Sequence, residues 1–481
     1  MEKFKKISYL LLVGFLIFFG IFLRSRLYIL NDVFSDDECR LVLSLMDKSL
    51  LQSLFFLGNA QSAPPLFIFL SKIIFCITGW TETAAKFLPY IAGIGSVFLF
   101  YKVCTCYLEK KLSRIIGLFL LVISQPLIVF STIFKQYSTD VFISILCLYF
   151  MTKVKIKDLS KGKLFLFALC IMALPLISLP SLFFIGAFFI QNIIENFRNK
   201  DFYKRLLIIL IPFVLLMGGY YIFNLAPARA DLYRFFPDYW DDGFWNLSFG
   251  GLVKLLVLNF KFWFVPNVLT LPALILFVWG AGISIKEKKY GLLSVAALVL
   301  FASLIKLYPL SGRVGLYFAP VVMLFMLKPL DSKKKGLVIL ALLLCFTAFC
   351  KYDFNYLKNI NSVDYFISYS PKVLMFNLVE KFNPKSDIII CNPASSPSYL
   401  YYSAAQKFYP DDVYEMPVET KDKEVMLNYL NGLKKGQKYW FYLVKDYNQA
   451  KVFPFIFEWL EGKNVLYKYQ DRNSYLIYLE N

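Results

Sequence analysis

The amino-acid sequence predicts an all-α polytopic membrane bundle followed by an extracytoplasmic α/β domain. Composition comes first: of 481 residues, 58% are hydrophobic and 19% aromatic, and the mean hydropathy is +0.57. Charged residues make up 18%, below the roughly 25% of an average soluble protein. Lys and Arg, moreover, gather in short segments that punctuate apolar runs, as cytosolic loops do between membrane spans. Disorder, collagen, a small disulfide scaffold and a soluble enzyme with one central core are all excluded by these features.

Taken in order, residues 1–6 are basic and short, and Ile7 to Ile29 is apolar. The run is long for a signal peptide and lacks a small-residue cleavage site, so it reads as an uncleaved first span. Further apolar runs cover about 84–107, 115–134, 139–152, 164–178, 180–194, 206–224, 263–285, 291–307, 314–327 and 336–350, giving about eleven spans. Threading the chain from an internal N-terminus places 1–6, 109–114, 153–163, 195–205, 286–289 and 328–335 in the cytosol, and each is rich in Lys or Arg. Pro64 to Trp80 is apolar too, but it contains Ser71 and Lys72, and counting it as a span would move the basic loops to the wrong face. It is expected to lie as a helix at the outer interface, within a first outer loop of 31–82. The membrane domain is then 1–350 and the external domain 351–481. In that tail, Asp387 to Cys391 and Lys438 to Val444 read as strands, and Ser396-Pro397 as a helix start. Lys423 to Lys435 and Ala450 to Gly462 read as helices, and Val465 to Leu479 as a hairpin through Asp471-Arg472-Asn473.

Histidine is absent, so every Ser-His-Asp or Cys-His catalyst, every His metal ligand and any His pH switch is excluded. A net charge of +19 would suggest nucleic acid in a soluble chain; here it follows from the cytosolic loops, and no nucleic-acid partner is expected. Most of the nine Cys lie in apolar runs and no CxxC pair occurs, so neither a zinc site nor a disulfide framework is expected. There is no Gly-rich phosphate loop. No metal and no cofactor is called for.

Candidate chemistry lies on the outer face. Ser35-Asp36-Asp37-Glu38 follows the first span. Ser-x-x-Glu is a capping box, and acids favour a helix N-terminus; a carboxylate kept ionised by that dipole is also suited to act as a general base. Lys135-Gln136-Tyr137-Ser138-Thr139-Asp140 joins two spans at the same face. Either its charges line a wet cavity, or Lys135 snorkels while Asp140 caps the next helix. Tyr308-Pro-Leu-Ser-Gly-Arg313 puts an Arg opposite the basic loops, as a phosphate ligand or as an anchor to lipid headgroups. Lys306 could share either role. Acids and aromatics interleave over 231–245, which fits a sugar site or an interfacial aromatic belt.

Together these residues resemble one family. Asp37-Glu38 after the first span, Pro64-Pro65 opening a helix that leads to Gly79-Trp80-Thr81-Glu82, the 135–140 and 308–313 segments and an external α/β tail are similar to bacterial C-type glycosyltransferases of the dolichyl-phosphate-mannose–protein mannosyltransferase and lipid A aminoarabinose transferase type. The resemblance covers about 1–350 in order and spacing, and the tail in type. It implies a bundle of eleven to thirteen helices with an extracytoplasmic active site; the basic loops put the N-terminus in the cytoplasm, and the compact tail favours a bacterial inner membrane. The resemblance further implies an inverting transferase that moves a sugar from a polyprenyl-phosphate donor to a lipid, glycan or protein acceptor.

In that reading Asp37 is the general base, Glu38 orients the acceptor or steadies Asp37, and Asp36 is a second candidate base. Lys135 and Arg313 stabilise the leaving phosphate, in a pocket shaped by Gln136, Tyr137, Asp140 and Tyr308. The sequence differs from relatives at Ala63, where they often carry His or Lys before Pro-Pro. It also lacks the Trp-Trp-Asp motif of oligosaccharyltransferases, so transfer of a whole glycan to Asn is not expected. Two other classes compete: a transporter of lipid-linked or polysaccharide cargo, which would show paired halves with broken helices, and a non-catalytic scaffold with an external binding domain.

Overall fold

The structure is a computed structural model and describes residues 2–58, 61–235, 241–263, 270–331, 371–417, 423–445, 453–471 and 473–481. Helices in chain order are α1 (Glu2–Leu30), α2 (Asp36–Met46), α3 (Pro65–Thr78), α4 (Glu82–Tyr107), α5 (Lys111–Ile123), α6 (Gln125–Val129), α7 (Tyr137–Lys153) and α8 (Lys161–Ile177). They continue as α9 (Ser181–Asn196), α10 (Lys200–Tyr220), α11 (Ala226–Phe235), α12 (Phe249–Trp263), α13 (Thr270–Lys286), α14 (Tyr290–Leu304) and α15 (Ala319–Asp331). The predicted apolar runs up to residue 327 are largely helical where described, and 264–269 of the run 263–285 lie outside the described residues. The last, 336–350, lies outside the described residues, as do the basic Lys333–Lys335, 236–240 of the aromatic loop and Arg472. The described residues form two compact units, one of 2–29 with 49–331 and one of 30–48 with 371–481.

The first unit is the helical membrane part. Among the described residues, Lys6–Leu30, Glu82–Tyr107 and Lys200–Arg234 are long and apolar enough to cross a membrane, and α5 with α6 makes a fourth if that bent pair is one span. Small residues allow close helix contact, as expected where packing rather than hydrophobicity joins helices. A Cβ on Gly93 of α4 would come within 2.5 Å of Ser131 Cβ, and one on Gly280 of α13 within 1.7 Å of the Phe325 carbonyl oxygen of α15.

Three local departures from the expected spans have physical reasons. The run 115–134 is broken by 58° between α5 and α6; Pro126 sits in the first turn of α6, where its missing N–H leaves no bond unmade. The helix over 206–224 continues to Phe235 through a π-helical segment, Tyr221–Leu225, just before Pro227, a local adjustment that lets a helix pass a proline. The expected outer loop 225–262 also contains α12, whose buried Leu255, Leu256, Asn259, Phe260 and Trp263 recur at helical spacing.

The second unit is α/β. Helices α16 (Pro371–Lys381), α17 (Ser396–Ala405), α18 (Lys423–Asn431) and α19 (Phe453–Leu460) accompany strands β1 (Asp387–Cys391), β2 (Val413–Glu415), β3 (Lys438–Val444), β4 (Asn464–Asp471) and β5 (Ser474–Glu480). The sheet order is β2-β1-β3-β5-β4. Strand β1 pairs in parallel with β2 and β3, while β5 runs antiparallel to both β3 and β4. Strand β3 is buried along nearly its whole length, as a strand covered on both faces must be. Ile390, Phe441, Leu443, Ile477 and Leu479 form the core with Met426, Leu430, Ile456 and Trp459. Asp387 is buried and accepts hydrogen bonds from Trp440 Nε1, Tyr478 Oη and Ser386 Oγ at 2.9, 2.9 and 2.8 Å, so its charge is satisfied where it sits.

Candidate active site

The acidic residues belong to the second unit, where they open α2. Glu38 is committed to the cap. Ser35 N and Ser35 Oγ donate to its Oε2 at 2.9 and 2.8 Å, and Glu38 N donates back to Ser35 Oγ. The predicted capping box is therefore present. Asp36 pairs with Arg40, Nε to Oδ2 at 2.9 Å. Asp37, half-buried, acts on the same guanidinium electrostatically, as does Glu415 at the end of β2. Burial lowers the pKa of Arg40, but Asp36, Asp37 and Glu415 together outweigh it and hold the guanidinium above its ordinary value. Asp36, Asp37 and Glu38 thus share the first turn of α2, and Arg40 one turn on supplies a positive charge beside them.

The cationic residues belong to the first unit. Lys135 is buried, and its Nζ donates to Gln61 Oε1 at 2.5 Å. It follows Phe134, which packs against Phe67 and Phe75 of α3, and Phe75 stacks on Trp80. Lys72, buried in α3, lies over the Trp80 ring of the same aromatic cluster at 5.4 Å. The Arg313 guanidinium lies 5.7 Å from the centre of the Tyr137 ring. Its segment is clamped from α12, where Asn259 Nδ2 donates to the Leu310 carbonyl at 2.8 Å and Trp263 Nε1 to the Gly312 carbonyl at 3.2 Å. The Gly243 carbonyl accepts from Leu310 N, and a Cβ on Gly243 would come within 3.0 Å of Pro309 and Ser311. That is what the sequence 241–245 contributes here: a seat for the Arg313 segment.

Asp140 is not the cap of α7. It lies within the first turn and is buried; Gln136 holds the N-cap position without a side-chain cap bond. Among the described residues, Asp140 Oδ1, Gln136 Oε1 and Thr139 Oγ1 have no hydrogen-bond partner. The phenols of Tyr220, Tyr308 and Tyr317 stand within electrostatic reach of Asp140. Tyr308 meets Tyr317 and Phe183 edge to face. Tyr137 also lines a small cavity with Arg24, Ser96 and Ser138.

Arg24, Lys72 and Lys86 were not among the candidates, yet all three are buried. The signal for Arg24 was a cation inside the apolar run of the first span, a position that is rarely occupied without a purpose. Its guanidinium donates to the Gly20 and Leu121 carbonyls at 3.1 and 3.4 Å.

Comparison with solved structures places this architecture. The chain aligns with ArnT from Cupriavidus metallidurans in the apo state over 97% of its own length and 98% of that chain, with TM-score 0.52 and 11% identity. An oligosaccharyltransferase from Archaeoglobus fulgidus tethered with an acceptor peptide aligns at TM-score 0.49 and 14% identity, over 100% of this chain and 75% of that one. A second structure of that enzyme, with Zn and sulfate, aligns at 0.45 and 15%, over 83% and 62%. The fold assignment rests on the first of these. No protein-family model matches the sequence, and no curated protein matches it significantly. The chain is a polytopic membrane protein with the C-type glycosyltransferase fold. Within that class it shares the architecture of ArnT, the lipid A aminoarabinose transferase.

Proposed function

We propose that this protein is an inverting glycosyltransferase that moves a sugar from a polyprenyl-phosphate donor to a hydroxyl of a lipid, glycan or protein acceptor. It would work at the extracytoplasmic face of the bacterial inner membrane, with its N-terminus in the cytoplasm. The observation that supports this most strongly is the shared fold with ArnT along nearly the whole of both chains. Fold alone does not define chemistry, and the side chains add to it. Asp37 takes the acceptor's proton as the acceptor oxygen attacks the anomeric carbon, and Asp36 is the second candidate. Glu38 steadies the helix that presents them, through the cap already described. As the bond from sugar to phosphate oxygen breaks, negative charge grows on the polyprenyl phosphate. Lys135 and Arg313 stabilise that charge in surroundings poor in water, where such an interaction counts most. Gln136, Tyr137, Asp140 and Tyr308 shape the donor pocket. Donor, acceptor and bilayer are its partners, and the chemistry of these side chains needs no cofactor.

The test is reconstitution of the purified protein in liposomes with undecaprenyl-phosphate-linked glucose, mannose and aminoarabinose, labelled in the sugar, with bacterial envelope extract as acceptor. The expected result is label transferred to acceptor with equimolar release of undecaprenyl phosphate. Label that crosses the bilayer still joined to its lipid would instead establish the transporter. Neither transfer nor transport of any donor would leave the scaffold reading.

A further inference from the structure

The helix that carries the candidate base folds with the end of the chain. Residues 30–48 share a compact unit with 371–481, although more than three hundred residues separate them in sequence. Cys39, Leu41, Val42 and Leu45 of α2 are fully buried, and α2 packs against α17. Three polar contacts fix the junction. Phe34 N donates to Tyr402 Oη at 2.9 Å, Arg40 Nη2 donates to the Pro393 carbonyl at 3.1 Å, and Lys372 Nζ donates to the Asp32 carbonyl at 3.0 Å. Phe34 adds an edge-to-face contact with Tyr401.

The place of these contacts in the sheet matters. Pro393 lies just past the carboxyl end of β1, and Glu415 is the last residue of β2. With β1 between β2 and β3, all three parallel, the chain passes from β1 to β2 on one side and then returns to β3 on the other, so the strand order reverses at β1. Open α/β sheets bind their ligands outside the carboxyl ends of the strands at such a reversal. Here the Arg40 guanidinium of the chain's own α2 reaches that point. Arg40 stands one turn after Asp36 and Asp37, on their side of the helix. Its guanidinium joins the Asp36 carboxylate to the backbone of the β1–α17 loop. The charged groups around it are Asp36 and Asp37 from α2 and Glu415 from β2; α17 contributes Ser396, 3.5 Å from Glu415 Oε2. The Asp32–Lys372 pair lies at the entry to α2.

We propose that the C-terminal α/β domain is the positioning element of the catalytic base. The carboxyl ends of β1 and β2 hold α2 through Arg40, and Arg40 sets both the place and the charge state of the Asp37 carboxylate. Arg40 is a positioning residue, not a catalytic one, and the proposal rests on the reading of Asp37 as the base. Asp37 and Glu415 both act on the Arg40 guanidinium, so in this proposal Arg40 and Glu415 bear on the Asp37 carboxylate with opposite sign. Removing the cation raises the affinity of the carboxylate for a proton, and removing Glu415 lowers it.

The experiment uses full-length protein in nanodiscs with the undecaprenyl-phosphate sugar that the wild type turns over. It measures kcat, donor KM and the pH dependence of kcat for wild type, Asp37→Asn, Arg40→Gln, Arg40→Lys, Glu415→Gln and Tyr402→Phe. Arg40→Gln is expected to lower kcat about tenfold or more, since small misplacements of a reacting group are costly, with donor KM within twofold of wild type. Its acid limb should move to higher pH and that of Glu415→Gln to lower pH, with Arg40→Lys restoring the wild-type limb. Tyr402→Phe removes one hydrogen bond and leaves every charge in place; it should lower kcat without moving the limb, which covers the case in which Arg40→Gln does not fold. A structural role alone would not give opposite shifts from two substitutions. If Asp37→Asn is inactive while Arg40→Gln and Glu415→Gln keep the wild-type kcat and pH profile, the positioning proposal falls and the base stands. Full turnover by Asp37→Asn would overturn both.

Discussion

Replacing Lys135 by Met removes a positive charge from a buried side chain and keeps most of its length. Two effects follow. Gln61 Oε1 loses the donor it meets at 2.5 Å, and an unsatisfied buried acceptor costs about 1–3 kcal/mol of stability. A pre-organised donor aimed at a growing oxyanion is worth about 2.7–4 kcal/mol in the transition state, or about 10²–10³ in kcat. The burial of Lys135 favours the upper part of that range, because solvent does not screen the charge. The assay is release of undecaprenyl phosphate by Lys135→Met protein of verified fold, with thermal unfolding followed in parallel. Lys135→Arg should retain more activity than Lys135→Met, since it keeps the charge. A folded Lys135→Met protein with kcat within threefold of wild type would refute the role given to this ammonium group.

Asn259→Leu should lower kcat about tenfold through Arg313, because the Leu310 carbonyl loses its clamp and small misplacements of a catalytic group are costly; unchanged donor kinetics in that variant would show that the clamp does not set Arg313. Gly93→Val forces a side chain against Ser131, and overpacking of about 1–3 kcal/mol should lower the melting temperature in detergent; an unchanged melting temperature would show that α4 can move aside. In the α/β domain, burial and then the hydrogen bond and charge of Asp387 push Tyr478 up to about 12, from an ordinary value of 10.0. A raised tyrosine contributes stability that is present below pH 10 and lost as pH rises toward 12. Tyr478→Phe should therefore flatten the alkaline loss of domain stability over that window, as followed by denaturant unfolding; an identical pH profile would count against the Asp387–Tyr478 bond. Asp387→Ala should destabilise the same domain by about 2–5 kcal/mol, since the buried Trp440 Nε1 and the half-buried Tyr478 Oη lose their acceptor; a smaller loss would mean that other acceptors replace it.

Much of this was legible in the sequence where the signal is local. The capping box at Ser35 and Glu38, the strands at Asp387 and Lys438 and the helical character of the apolar runs each depend on a few neighbouring residues. What the sequence did not reveal depends on distant contacts or on small backbone choices. Arg40 has its meaning only because Pro393 and Glu415 lie beside it in the fold. The segment 225–262 reads as an outer loop, while the buried face of α12 within it follows helical spacing. Asp140 reads equally as a cavity-lining charge or as a cap, and only the fold decides between them: it is buried, with tyrosines within electrostatic reach. Arg24 and Lys86 lie inside predicted spans, and nothing in a linear reading says which face of a helix a lone cation occupies.

The most direct measurement is turnover of the labelled undecaprenyl-phosphate sugar by folded Asp37→Asn protein, set against equilibrium binding of the same donor. Asn keeps the size and hydrogen-bonding outline of the side chain and loses its basicity. The account predicts donor binding like that of the wild type, with sugar transfer reduced about 10²-fold or more. Transfer at the wild-type rate would contradict it.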